Sequence, residues 1–195
     1  MKKLLSIITF VLTAQIASAQ FCIDIQGGWS VPTGTEQEHN IKGGIGCSFD
    51  FLYNPDFFDS RLAFGISFDG NLLFRAGVTI DDKTFDLKAT KLSLSGLKAR
   101  IDLQDGVTPY AAITMGIGVL NGAIINRLKD EQTGEITYET RLKKNAAFAI
   151  KPEIGMCFKI FTIGVGFMLP NSYGSQNNKT GCTQWNIGFR IPIDN

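Results

Sequence analysis

The sequence predicts an all-β protein, an eight-stranded antiparallel up-and-down transmembrane β-barrel, and three observations lead there. The chain opens with a secretory leader, eight later segments alternate apolar and polar residues, and the connections between those segments are alternately short and long. Period-two alternation is a strand signal, and alternating turns and loops mark a meander whose ends meet.

Lys2 and Lys3 form a positive n-region, residues 4–14 an apolar stretch too short for a span, and Ala17-Ser18-Ala19 an A-x-A cleavage site. Residues 1–19 are therefore read as a signal peptide and residues 20–195 as one outer-membrane β-barrel domain. Phe21, immediately before Cys22, is not the small residue that lipobox processing takes. Beyond the leader no run of about 18 apolar residues remains, so a closed barrel is the only route across a bilayer. About 176 residues hold eight strands of about ten residues but not sixteen. A formal net charge of +1 gives no electrostatic case for nucleic acid.

The first segment sets Phe21, Ile23, Ile25, Gly27, Trp29 and Val31 against Cys22, Asp24, Gln26, Gly28 and Ser30. The second opposes Ile41, Ile45, Cys47, Phe49 and Phe51 to Lys42, Gly44, Gly46, Ser48 and Asp50. In the third, Leu62, Phe64, Ile66, Phe68, Leu72 and Phe74 face away from Arg61, Ala63, Gly65, Ser67, Asp69, Asn71 and Arg75. The fourth reads with Leu92 and Leu94 outward, then in shifted phase with Leu97, Ala99, Ile101 and Leu103, which predicts a β-bulge near Ser95-Gly96. The fifth carries Ala111, Ile113, Met115, Ile117 and Val119, the sixth Phe148, Ile150, Ile154 and Met156, and the seventh Phe161, Ile163, Val165 and Phe167. The eighth opposes Trp185, Ile187, Phe189, Ile191 and Ile193 to Gln184, Asn186, Gly188 and Arg190.

Short connections at residues 53–60, 104–106 and near Phe158-Lys159 alternate with longer ones at 32–40, 76–89, 121–145 and 169–181. That asymmetry places both termini on the periplasmic side of a bacterial outer membrane. A secreted lipocalin-like barrel has the same period with its apolar face inward. Here the polar face is mostly Gly, Ala, Ser and Thr with scattered charges, which suits the inside of a narrow tube. On the apolar face Trp29, Phe74, Phe167 and Trp185 near the loops, and Phe21, Phe51, Phe161 and Phe189 near the turns, form two aromatic girdles.

Asp24, Lys42, Asp50, Arg61, Asp69, Arg75, Lys98, Arg100, Asp102, Lys151, Glu153 and Arg190 project from the polar face. They are expected to pair into an ion network that closes the lumen, the rival reading being a narrow selective channel. If Phe21 and Ile193 mark one rim of adjacent first and last strands, Asp24 meets Arg190 inside and Trp29 meets Trp185 outside. Strand character at 78–80, 84–87 and 135–138 predicts that the second and third outer hairpins project beyond the bilayer. Cys22, Cys47, Cys157 and Cys182 fall at scattered heights without CxxC spacing, and read as small apolar residues rather than as redox or zinc ligands.

Asn186-Ile187-Gly188-Phe189-Arg190-Ile191-Pro192-Ile193 resembles the C-terminal assembly signal of the small outer-membrane barrels of the OmpA/OmpX type, and the resemblance extends over the whole chain after the leader. It implies insertion by the barrel-assembly machinery, outer-membrane lipid as surroundings and, through the loops, an extracellular or cell-surface partner. That fold also hosts lipid A deacylases and palmitoyltransferases, which use a histidine with a serine and an acidic partner. The single histidine, His39, lies in the first outer loop with Glu36 and Glu38 and has no serine beside it. The reading is therefore a non-enzymatic barrel with a structural or surface-interaction role and no catalytic residue, cofactor or metal. Its alternatives are an outer-leaflet lipid-modifying enzyme and a narrow channel for small solutes.

Overall fold

Alternation with period two gives each strand one apolar and one polar face, and a sheet curls to hide whichever face its surroundings cannot solvate. The computed structural model of this chain describes residues 20–34, 41–55, 61–75, 78–80, 83–85, 89–103, 107–129, 136–173 and 179–193. The leader, His39 and the tips of the longer loops lie outside the described residues. The strands are β1 (Gln20–Gly34), β2 (Ile41–Asn54), β3 (Leu62–Arg75), β4 (Val78–Ile80), β5 (Lys83–Phe85), β6 (Thr90–Asp102), β7 (Val107–Lys129), β8 (Ile136–Phe158), β9 (Phe161–Ser172) and β10 (Lys179–Ile193). Eight of them close into an antiparallel barrel in the order β1-β10-β9-β8-β7-β6-β3-β2, and β4 and β5 form a separate small hairpin.

The barrel closes between β1 and β10 in the expected register, with Phe21 opposite Ile193, Asp24 opposite Arg190 and Trp29 opposite Trp185. Following hydrogen-bonded rows from Trp29 through β2, β3, β6 and β7 reaches Lys144 on β8. Going the other way through β10 and β9 reaches Ile154 on the same strand, ten residues away. That stagger tilts the strands by about 40° and leaves an interior only wide enough for side chains.

Burial inverts the pattern of a water-soluble protein. The largest fully buried side chains include Arg100, Tyr110, Lys98 and Lys151, whereas Leu97 is 70% and Ile187 66% exposed. The polar face is the inner one, which disposes of a lipocalin-like arrangement. Phe21 stacks on Phe51 at 5.4 Å and Phe161 lies 5.1 Å from Phe189, with Tyr53 and Phe64 continuing the ring near the turn end. Trp29, Phe74 and Trp185 are exposed and Phe167 half-buried on the outer surface toward the loop end.

Two expectations need correction. No bulge interrupts β6, because its pairing with β3 and with β7 is continuous through Ser95 and Gly96. Alternation holds along the whole strand, so Leu92 and Leu94 point inward and are fully buried. The phase slip in the sequence is a change in what fills the lumen, from charges to leucines. Secondly, the hairpin after β3 is a sheet of its own, paired from Val78/Phe85 to Ile80/Lys83, and not an extension of the barrel wall. The hairpin of β7 and β8 does continue the wall, paired from Val107/Phe158 to Lys129/Ile136.

The turn from β8 to β9 has little sequence signature for a physical reason. Lys159 takes φ of 57° at its first position, where glycine ordinarily serves in a two-residue hairpin.

A charge on the outer wall tests the surroundings directly. Ile187→Arg is expected to lose about 2–4 kcal/mol of unfolding free energy in lipid vesicles. A loss below about 0.5 kcal/mol, ordinary for a water-facing site, would contradict a lipid-facing wall.

Candidate functional site: the lumen

The inner face is ordered in layers from the turn end upward. In the first, Arg190 of β10 contacts Asp102 at 2.8 Å, the Cys22 sulfur at 3.3 Å and the Asn54 Oδ1 at 3.4 Å. Its Nε also stands 3.8 Å from Asp24, so the cross-strand pair exists as the weaker of two contacts. Asp24 is held more closely by Arg100, at 2.8 Å. Arg100 also donates to Asp102 at 2.9 Å and to the Cys157 sulfur at 3.1 Å, and it stacks 3.8 Å over the Tyr110 ring.

The second layer turns on Lys98, whose ammonium lies 2.6 Å from Asp50 of β2 and 3.1 Å from Glu153 of β8. Ser67 donates to Asp50 at 2.5 Å, and the Tyr110 hydroxyl donates to Glu153 at 2.7 Å. In the third, Lys151 pairs with Asp69 and donates to Gln184 at 3.0 Å, while Ser30 donates to Asn71 at 2.5 Å. Above these lies an apolar layer of Leu73, Leu92, Leu94, Ala149, Met168, Tyr173 and Cys182.

Glycines on nearby strands make room for the long inward side chains. A Cβ on Gly166 would come within 2.5 Å of the Lys151 stem, and one on Gly155 or Gly164 within 2.6 or 2.5 Å of Tyr110. Among the described lumen residues five carboxylates, Asp24, Asp50, Asp69, Asp102 and Glu153, face four cations, Lys98, Arg100, Lys151 and Arg190. With fewer cations than anions, Lys98, Arg100 and Arg190 each serve two carboxylates. Most of these contacts join strands that are not neighbours in the barrel, so the network ties the wall together from within.

Arg61 lies outside the buried layers. The residue precedes the first rung of β3, at the turn-end rim, where its side chain is exposed and its carbonyl accepts from the Asp102 amide. The side chains of Lys42 and Arg75 lie outside the described residues. Tyr110, Gln26, Gln184, Asn71, Ser30 and Ser67 belong to the lumen although charge alone does not single them out. Their inward parity is visible in the sequence. The apolar layer carries a signal too, in Leu73, Leu92 and Leu94 on inward positions.

The four cysteines are free thiols. Cys22 and Cys157 accept from guanidinium groups, Cys182 lies in the apolar layer, and Cys47 is exposed on the outer wall. Among the described residues no three His, Cys, Asp or Glu side chains converge as a metal site. Among the described residues the lumen's chemistry is mutual neutralisation of buried charge.

Lys98→Met strands Asp50 and Glu153 without their shared cation and is expected to cost about 3–5 kcal/mol in denaturant unfolding. Adding Asp50→Asn and Glu153→Gln should return most of the loss. A single variant within about 1 kcal/mol of the parent would show that the network does not hold the barrel.

No protein-family model matches the sequence, and no curated protein matches it. Solved structures do. Neisserial surface protein A is 12% identical, with 89% of this chain and 97% of that one aligned at a TM-score of 0.54. Ail, the attachment invasion locus protein of Yersinia pestis, in complex with the heparin analogue sucrose octasulfate, is 13% identical, with 89% and 99% aligned at 0.53. The chain thus has the fold of the small eight-stranded outer-membrane barrels.

Proposed function

We propose that this chain is a non-enzymatic protein of the bacterial outer membrane, delivered by a cleaved signal peptide and inserted by the barrel-assembly machinery. Its role is structural or to contact cell-surface and extracellular molecules through its loop-end hairpins. One contrast carries the reading. The lumen is stitched across by shared ion pairs and topped by an apolar layer, whereas β7 and β8 run on as a paired ribbon past the last rung that β7 shares with β6, Lys91/Asn121.

Eight further rungs, to Lys129/Ile136, extend the ribbon by about 27 Å at the rise of an antiparallel strand. Among the described residues neither edge of this ribbon has a ladder partner, so each is a row of backbone donors and acceptors. Of the two structural relatives, one is named a surface protein and the other an attachment invasion locus protein, which supports a surface role.

Three measurements separate the alternatives. In planar bilayers the purified barrel is expected to show no unitary conductance, and steps of current would replace the closed-lumen reading with a channel. Deleting the gene should leave the lipid A mass spectrum unchanged, and a shifted acylation pattern would make the protein an enzyme. Removing residues 122–143 should leave barrel insertion intact while abolishing retention of the protein's surface partners in affinity purification. Unchanged retention would move the contact surface elsewhere.

A further inference from the structure

Seven of the eight barrel junctions are ladders of ten or more residue pairs. The eighth, between β8 and β9, has six, from Glu153/Gly166 to Phe158/Phe161. Toward the loop end the two strands are tied by the Asn171 side-chain amide, which donates to the Phe148 carbonyl. Pro152 occupies the first position past the ladder on β8, and Pro170 stands on the facing part of β9. Proline brings no N–H to a ladder and belongs on strand edges. In hydrocarbon an unpaired edge is costly, and prolines limit the number of donors left over.

The interior behind this seam is apolar. Ala149 of β8 and Met168 of β9, both buried, border it from inside together with Leu73, Leu92, Leu94 and Cys182. Tyr173, just past β9, fills the middle: it is buried, its hydroxyl lies 3.9 Å from the Met168 sulfur, and it packs over Gly118. The outer side of the same seam shows Phe148 and Leu169 exposed and Phe167 half-buried. An apolar phase therefore lies on both faces of a stretch of wall that the ladder does not close.

We propose that this seam admits one acyl chain of an outer-leaflet lipid into the loop-end half of the lumen, where the chain takes the place of the Tyr173 ring. The inference rests on the membrane-barrel reading and adds a ligand to it. An acyl chain is the occupant because the seam faces hydrocarbon, because the packed layer behind it is apolar, and because the Lys151–Asp69 pair with Gln184 forms a polar floor that stops the chain.

Photolabelling in vesicles tests this. The full barrel is inserted into phosphatidylethanolamine–phosphatidylglycerol vesicles doped with a phospholipid bearing a diazirine on one acyl chain, irradiated, and mapped by peptide mass spectrometry. The outward residues Phe148 and Leu169 serve as the reference. The proposal expects label on the inward residues Leu92, Leu94 and Met168 as well, and expects Ala149→Trp to lower inward label about tenfold while the outward label stays. Leu94→Phe, a smaller filling, serves if Ala149→Trp does not insert. Inward label at background beside strong outward label would overturn the proposal, as would inward label indifferent to the filling variants. Loss of label on both faces would instead overturn the membrane reading and the proposal with it.

Discussion

A strand in hydrocarbon has nowhere to place its backbone donors and acceptors except on another strand, so the sheet must close, and the rest of this structure depends on that closure. Eight strands with a ten-residue stagger enclose a space that side chains alone can fill. One face of every strand is then committed to lipid and the other to this narrow interior. The interior has no bulk water to solvate an ion, so each charge placed there needs a partner within the tube. Sharing follows from the numbers: Lys98 answers Asp50 and Glu153, and Arg100 answers Asp24 and Asp102. Glycines on the inner face make room for the long side chains that lie over them.

Closure also explains why the two halves of the lumen differ. Near the turn end the network of arginines and carboxylates links strands that are several places apart. Toward the loop end leucines and Met168 take over, and the wall beside them, between β8 and β9, has its shortest ladder. Where the cross-lumen ion pairs stop, the ladder between β8 and β9 has stopped as well. The same physical demand that forbids open edges makes a short ladder informative, since Pro152, Pro170 and the Asn171 bond to Phe148 all bear on the edge it leaves.

Much of this was legible in the residues. Alternation placed each strand, and matching the two rims paired Asp24 with Arg190 and Trp29 with Trp185. Inner and outer faces followed from side-chain size, because a tube excludes what a surface tolerates. Leu92 and Leu94 read as lipid-facing because they are apolar, whereas unbroken alternation with Lys98 and Arg100 sends them inward. Arg61 continues that parity to the rim, where its side chain is exposed. The exact partners were not legible: Arg100 takes Asp24 ahead of Arg190 because stagger and side-chain reach, not strand adjacency, decide who meets inside the lumen. The shortened ladder did leave a trace, as two prolines inside segments that otherwise read as strand.

A closed lumen leaves water-borne reagents no path along it, and the four native thiols sample it at different heights. Cys22 and Cys157 sit beside the turn-end arginines, Cys182 lies in the apolar layer, and Cys47 faces outward. The measurement is thiol labelling of the inserted barrel by a charged, membrane-impermeant methanethiosulfonate and, separately, by a lipid-soluble maleimide, with sites assigned by mass spectrometry. A closed lumen requires that the charged reagent leave Cys22, Cys157 and Cys182 unmodified until the barrel is unfolded, while the lipid-soluble reagent reaches Cys47. Modification of Cys157 or Cys182 by the charged reagent in the folded barrel would contradict it.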